Sequence, residues 1–427
     1  MKKPLICALI ALAAAARGQM PPGEEAGPGS EYHIYRGNTH SHTVYTWSHG
    51  DQWVPATKAT RPVTPGANLQ AQWVDGDGST RMYVKDSTSY PGPQLMLKPN
   101  WQQFQGPPSS HFSLARANGY DFYITTDHSQ EATFQPPRKD NVAWVDTGNV
   151  AAALTTDRFV AIRGYEHSEN DGPDGEGHLN VMNSAEYINA LSPGVDLPYL
   201  YRWLKTARPN GDGPVVASFN HPGLHQYNDW AYRDPEVTEI ITMLEVINSN
   251  SHIHYEGFVR ALDKGWKVSP VCGNDNHGIV SITHHKSRTG VLAKNLTKAD
   301  LLEAMKHRRT FASLDENLDC RYTVNGAIMG STLERPSDYQ FDIAVSDPDT
   351  GNPKDKITRI DIVKDGGVEV QSFTPSSSDW SARWKTTVPD DGAHYYFVRV
   401  WNAGGGDAPG ADPSKPVAWL APVWTGR

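Results

Sequence analysis

An α/β fold is predicted for most of this 427-residue chain, with about seven strand–helix units closing into a barrel and a small antiparallel β-sandwich after it. Three observations predict it. Short apolar runs alternate with helical stretches from Tyr32 to His307, as parallel βαβ units require. Beyond Leu314 the pattern changes to period-two segments between Gly, Pro and Asp turns, the mark of antiparallel strands. Strand after strand in the first part also ends in imidazole or carboxylate residues, where barrel enzymes carry their sites.

The elements follow in order. Lys2 and Lys3 precede an apolar run, Leu5 to Ala16, that ends in small residues. This reads as a secretory leader, residues 1–18, cut after Ala16 or Gly18, and is too short for a comfortable membrane span. Cys7 lies inside that run and is discarded with it. Residues 19–31 are rich in Pro, Gly and Glu and read as a linker. The barrel is expected over 32–316 and the sandwich over 317–427.

The first strand runs from about Tyr32 to Thr39. Residues 44–108 lack clear periodicity and interleave Trp47, Trp53, Trp73, Tyr83, Tyr90 and Trp101, as a binding loop or a surface-packed excursion would. His111 to Asn118 is expected to be helical, with Gly119 as its left-handed C-cap. Strands are expected at Asp121–Thr126, Phe159–Gly164, His178–Met182, Val215–Phe219, Ile240–Ile247 and Lys267–Gly273. Helices are expected at Asn149–Thr156, Tyr199–Ala207, His254–Lys264 and Lys298–His307, the last opened by Thr297 as N-cap. In the sandwich, Tyr339–Val345, Ile357–Val363 and His394–Val400 alternate with period two.

Composition narrows the function. The chain carries 20% charged and 10% aromatic residues and a net charge of −9, so it is globular. Its acidic balance argues against coating nucleic acid. Cys272 and Cys320, the cysteines that remain after the leader, read as buried free thiols.

The chemistry begins at Tyr35-Arg36-Gly37-Asn38-Thr39-His40-Ser41-His42-Thr43. Residues two apart on an extended backbone share a face, so His40 and His42 can reach one ion. Asp51 follows. If the strand ends converge, His40, His42, Asp127, His128, Glu166, His221, Asp275 and His277 meet at one mouth, with His178 in reach from its own strand. Mixed His, Asp and Glu is the donor set of hydrolytic metal sites. Glu166 and Asp275 are candidate bridging carboxylates, and a water acidified by the ions is the candidate nucleophile. Strand alternation turns Asp127 away from the mouth and gives Arg163 a structural ion-pairing role. Glu245 is read as a buried acceptor for a ligand histidine or an arginine. His167 is a candidate proton donor to a leaving group, or an orienting neighbour of a ligand. Arg288, in His284-His285-Lys286-Ser287-Arg288-Thr289, is a candidate fork for an anion or a loop cation screened by solvent.

Taken in order, Asn38-Thr39-His40-Ser41-His42, Thr126-Asp127-His128, Gly164-Tyr165-Glu166, Asn220-His221-Pro222 and Asn274-Asp275-Asn276-His277 resemble the PHP (polymerase and histidinol phosphatase) superfamily. They are similar in particular to its exported, carbaryl-hydrolase-like branch of metallohydrolases. Arg309-Thr310-Phe311-Ala312-Ser313 and Trp419-Leu420-Ala421-Pro422-Val423-Trp424 resemble the same branch. The resemblance covers nearly all of the mature chain and implies a distorted (βα)7 barrel with two or three divalent ions, zinc, manganese or iron. By motif position it implies that His40 and His42 with Glu166 and Asp275 hold one ion. Glu166, His178 and His221 would hold a second, and Asp51, His128 and His277 a third, with His49 able to replace Asp51.

The expectation is an exported metal-dependent hydrolase, foremost a phosphoesterase acting on a small anionic or ester substrate. Hydrolysis of a carboxylic ester, carbamate or amide by the same ions is the alternative. A carbohydrate- or surface-binding protein is a third reading, with Trp380, Trp384 and Trp401 on the face of the sandwich.

Overall fold

This computed structural model describes residues 27–46, 105–169, 175–249, 252–376 and 379–426, and the backbone alone of four strands between 53 and 97. The expected leader and most of the linker lie outside the described residues. So do Asp51 and His49.

The chain enters through β1 (His33–Asn38). Next come β2 (Trp53–Pro55), β3 (Asn68–Val74), β4 (Thr80–Asp86) and β5 (Leu95–Leu97). β2 pairs with β5 and β3 with β4, both antiparallel, so the stretch expected to be irregular contains two ladders. The alternating part follows: α1 (Pro108–Ala117), β6 (Phe122–Thr125), α2 (Val142–Leu154), β7 (Val160–Ser168), β8 (His178–Met182), α3 (Leu197–Leu204) and β9 (Val216–Asn220). Two short turns, α4 (Gln226–Trp230) and α5 (Pro235–Thr238), lead to β10 (Ile241–Asn248), β11 (His252–Ile253) and α6 (Tyr255–Asp263). β12 (Ser269–Gly273), α7 (Ile279–His284), β13 (Arg288–Ala293), α8 (Lys298–Lys306) and β14 (Thr310–Ser313) complete it.

Local chemistry sets these boundaries. Pro108 opens α1, where no intrahelical N–H bond is lost. Gly119 and Gly265, at φ +77° and +85°, take the left-handed turn after α1 and α6. Asp196, Asp234 and Thr297 cap α3, α5 and α8 with side-chain oxygens.

The strands pair in the order β11-β10-β9-β8-β7-β6-β1-β13-β14, with β12 on β10. β1, β6 and β7 run parallel, as do β9, β10 and β12. The expectation of parallel βαβ units fails at β8, and β13, a strand not expected from the sequence, is antiparallel too. β8 is antiparallel to both neighbours, because the short link from Ser168 to His178 cannot house the helical crossover a parallel return needs. β13 is antiparallel to β1 and β14.

On its other side β12 is held by hydroxyl groups. Thr289 Oγ1 accepts from the Cys272 N–H at 2.7 Å and donates to the Cys272 carbonyl, which also accepts from Thr39. Thr310 donates to the Pro270 carbonyl. The wall encloses a common apolar interior to which Tyr35, Phe122, Val160, Met182, Val216, Met243, Val271 and Val291 each contribute from a different strand. Leu301, Leu302 and Met305 of α8 pack into the same cluster.

The named strands of the C-terminal part all pair antiparallel. β15 (Asp319–Val324), β16 (Ala327–Ile328), β17 (Asp338–Ser346) and β20 (Ser381–Pro389) form one sheet in the order β16-β15-β17-β20. β18 (Ile357–Lys364), β19 (Val368–Phe373), β21 (Tyr395–Asn402), β22 (Ala418–Leu420) and β23 (Val423–Trp424) form the other. Burial alternates along β17 with period two, as its sequence predicts. The two sheets meet through Tyr339 and Tyr396, with ring centres 4.9 Å apart, and through Tyr322, which donates to the Ala421 carbonyl at 2.6 Å. β22 pairs with β14, so the second sheet continues the first part's sheet without a break.

Candidate metal centre

Every strand that brings a chemical group to the rim does so at the same end. His40 and His42 follow β1, His128 follows β6, His221 follows β9, and Asp275 and His277 follow β12. Glu166 lies near the end of β7. His178 opens β8, and because β8 is antiparallel its start falls beside Ser168 and Asn220. Eight of the nine residues expected to bind metal therefore meet; Asp51 lies outside the described residues.

Glu166 is the centre of the group. Its Oε1 is 3.2 Å from His40 Nε2, 3.2 Å from His178 Nδ1 and 3.6 Å from His221 Nε2. Its Oε2 is 2.9 Å from His128 Nε2 and 3.8 Å from His42 Nε2. Asp275 Oδ1 lies 3.0 Å from His42 Nε2 and 3.4 Å from His40 Nε2. The two Nε2 atoms of His40 and His42 face one another at 3.0 Å. Ligands about 2.1 Å from a tetrahedral ion sit roughly 3.4 Å apart, so His40, His42, Glu166 and Asp275 are spaced to hold one. Glu166, His178 and His221 form a second such group, and His42, His128 and His277 a third. In the third, His42 stands where Asp51 was expected; its ring stacks on that of His277 at 4.1 Å.

Depth is graded. The side chains of His40 and His42 are fully buried and that of Glu166 is 1% exposed, whereas Asp275 and His277 are 21% and 22% exposed. Burial disfavours charge on Glu166, but His178, His40 and His128 outweigh it and hold the carboxyl well below its usual value. Asp275 is likewise held low, against burial, by His40, His42 and His277. Burial pulls His40 down, yet Glu245, Asp275 and Glu166 raise it well above an ordinary imidazole. His42 is pushed well down by burial and by the neighbouring His277 and His128, which suits a neutral donor.

A shell of acceptors and amides fixes these groups. Glu245, fully buried in β10, faces His40 Nδ1 at 2.7 Å and accepts the His221 N–H at 2.9 Å. It thereby turns His40 Nε2 toward the centre, the acceptor role expected of it. Asp127 takes the N–H and hydroxyl groups of Thr43 and Thr46, pinning the loop after His42. His221 and Asp275 occupy positive φ, +29° and +47°. Such backbone costs about 1–3 kcal/mol per residue and is held by the His221 bond to Glu245 and by the Asp275 N–H on the His40 carbonyl at 2.9 Å.

Three contributors escaped the sequence reading. Asn220 donates to Glu166 Oε1 at 2.8 Å and Ser168 to Oε2 at 3.0 Å. Asn248 donates to both Glu245 and Asp275 at 3.2 Å. Ser168 stands two residues from Glu166, so alternation alone could have found it.

The candidate catalytic residues behave differently. His167 is fully buried on the opposite face of β7, and neither ring nitrogen has a hydrogen-bond partner. Burial and the nearby His178 hold it down at about 3, and its Nε2 lies 3.8 Å from Glu169 Oε1. Arg288 lies inside β13, not in a loop. Its Nη1 donates to the His285 and Ser287 carbonyls, and its guanidinium covers the Tyr120 ring at 3.7 Å. Those partners make it a prop for the loop after β12, since Tyr120 accepts from Asn274 at 3.0 Å. Arg163 is structural but not through the ion pair expected: it donates to the Trp144 and Ser184 carbonyls and covers the Trp144 ring at 3.7 Å. Cys272 and Cys320 are buried and unpaired.

Among the described residues no helix is long and apolar enough to cross a membrane. No protein-family model matches the chain, and no curated protein matches it. Among solved structures it is similar to a two-domain protein from Bacteroides vulgatus that contains a predicted PHP-like metal-dependent phosphoesterase. The identity is 16% and the TM-score 0.43, over 95% of this chain and 99% of that one.

Proposed function

We propose that this chain is an exported metal-dependent phosphoesterase of PHP-like type, built on a distorted (βα)7 barrel. The observation that carries the reading is Glu166: a buried carboxylate with imidazoles against both of its oxygens, the disposition of a ligand shared between ions. Divalent ions bound here would supply Lewis acidity and a water acidified enough to attack an ester. His40, His42, Glu166 and Asp275 would hold one, Glu166, His178 and His221 the next, and His128 and His277 a third with His42 or Asp51. Zinc, manganese and iron all suit these donors.

The remaining residues position. Glu245 orients His40, and Asn220 and Ser168 leave the Glu166 carboxylate little freedom to rotate. A cavity of about 860 Å³ begins at Pro222 and His254 and runs to Arg399 and Trp419. The His254 ring, which lines it, is 6.4 Å from that of His221, which sets this cavity beside the histidine-rich group. The three tryptophans considered for a sugar-binding face are otherwise engaged. Trp384 stacks on Phe373, Trp401 lies between Arg359 and Arg399, and Trp380 donates to the Asn352 carbonyl.

The test is metal analysis of the purified mature chain, followed by chelation and assay on p-nitrophenyl phosphate, bis-p-nitrophenyl phosphate and a naphthyl carbamate. The expected result is two to three ions per chain, phosphoester hydrolysis that chelation abolishes, and recovery on adding manganese or zinc. Preferential turnover of the carbamate would move the assignment to the alternative bond. Full activity without metal would end it.

A further inference from the structure

We infer that the C-terminal part of the chain binds calcium, at a site where three loops bring Asp315, Asp347, Asp355 and Asp407 together. Asp315 lies between β14 and β15, Asp347 and Asp355 between β17 and β18, and Asp407 between β21 and β22. The site shares no residue with the histidine-rich centre and does not depend on the activity proposed for it.

The geometry is that of a cage. One carboxylate oxygen each of Asp315, Asp355 and Asp407 lies within 4.8 Å of the others. Oxygens on opposite sides of a calcium ion, about 2.3–2.6 Å from it, are roughly 5 Å apart. Asp315, Asp347 and Asp355 are 1%, 4% and 3% exposed, so this is not a solvated acidic patch. Asp347 supplies the second observation. Its Oδ1 accepts the Asp349 N–H at 2.8 Å, but its Oδ2 is buried with no hydrogen-bond partner. The Asp347 and Asp315 carboxyls lie within hydrogen-bonding reach of each other, so this oxygen meets either a proton held by Asp315 or a cation. The free oxygen is therefore turned into the cluster.

Other contacts leave room for an ion. Asp315 uses Oδ1 for the Asn317 and Leu318 N–H groups, each at 3.0 Å, and its Oδ2 lies 3.5 Å from Asn402 Nδ2. Asp407 uses Oδ2 for the Glu316 N–H at 2.9 Å. Lys286 acts on Asp407, but its ammonium is bonded to Glu316 at 2.9 Å. Burial and mutual repulsion push Asp315 up to about 8 and Asp355 to about 6, a penalty that a divalent cation removes. Donors that are all oxygen, with no imidazole or thiolate, select a hard ion. The burial of Asp315, Asp347 and Asp355 favours calcium over magnesium, which keeps several of its waters.

The site has a consequence for the cavity described above. Gly405 and Ala408, on either side of Asp407, line it together with Pro222 and His254. Calcium at Asp407 would thus steady one wall of that cavity.

Trp380, bonded to the Asn352 carbonyl at 2.7 Å, places an indole beside the β17–β18 loop to sensitise terbium. The full mature chain, first loaded with manganese at the histidine-rich centre, is titrated with terbium chloride and separately with calcium chloride. We expect tryptophan-sensitised terbium emission that calcium displaces, and a melting temperature raised by several degrees in calcium. Asp347→Asn and Asp355→Asn should weaken terbium binding roughly tenfold or more while manganese content and near-ultraviolet circular dichroism stay unchanged. Wild-type protein showing neither emission nor a calcium-dependent shift would overturn the site, as would Asp347→Asn binding terbium like wild type. Variants that are more stable than wild type at neutral pH, with wild type indifferent to calcium, would show that shared protons hold the cluster instead.

Discussion

Glu166 and the imidazoles around it form a group that protons or metal ions can neutralise, and the choice between them sets the pH behaviour of the protein. Without metal, Glu131 and Glu166 overcome burial and raise His128 to about 10, and Glu166 and Asp275 raise His221 to about 9. A histidine raised above its unfolded value of about 6.5 stabilises the fold fully below that value. The contribution fades as pH climbs through the folded pKa. The low-lying Glu166 and Asp275 describe the same ion pairs from the carboxylate side and add nothing separate. Denaturant melts of chelated protein should therefore show stability falling from about pH 7 to about pH 10, whereas the metal-loaded protein, whose histidines are neutral donors, should be flatter over that window. A chelated protein with no loss of stability over that range would contradict this account. The histidines and carboxylates were readable from sequence because each stands at the end of an apolar run. Asn220 and Asn248 were not, since an amide has no pattern until the strands beside it are known. For His167 and Arg288, nearness in sequence to a ligand does not say which face of a strand a side chain occupies.

At the level of the element, β12 carries the tightest constraint. A methyl group at Gly273 would lie 2.0 Å from Glu245 Oε1 and 2.8 Å from His40 Cβ, far inside contact distance and against side chains that are fully buried. Gly273→Ala should thus displace Glu245 from His40, and metal affinity should fall roughly 10- to 100-fold, as when such orienting partners are removed. Equilibrium dialysis with zinc or manganese measures this; unchanged affinity would show that Glu245 does not orient His40. Four helices were legible within about three residues because capping groups such as Thr297 and glycines such as Gly265 mark their ends. By contrast, Val142–Leu154 begins seven residues before the expected Asn149, and the short helix Ile279–His284 was not expected. β13 and β14 were not read as strands at all. Arg288–Ala293 and Thr310–Ser313 are short and mixed in polarity, and their burial comes from neighbours distant in sequence. β8 was placed correctly but its direction was not, because direction depends on the length of a link and not on the strand's own residues.

For the whole molecule, the continuity of the sheet matters more than a division into two parts. The composition change near Leu314 is real, yet β14 finds its outer partner in β22, about a hundred residues later, and Phe311, Ala312 and Ser313 pair with Leu420, Trp419 and Ala418. A fragment of residues 32–316 would leave β14 with an open, apolar edge, which favours association over folding. Expressed alone it should be insoluble or melt without a cooperative transition, read by sedimentation and circular dichroism. A soluble fragment with a sharp melt and bound metal would show that the second part is dispensable.

The hydroxyl lacing of β12 has a kinetic corollary. A strand bonded along one flank by its peptide groups and along the other only by threonines has fewer bonds to break than its fellows, so transient fraying should begin there. That weak flank lies directly below Asp275 and His277. Ions would then enter and leave by the excursions of this one stave, and the exchange rate of the centre would follow how long Thr39, Thr289 and Thr310 stay latched.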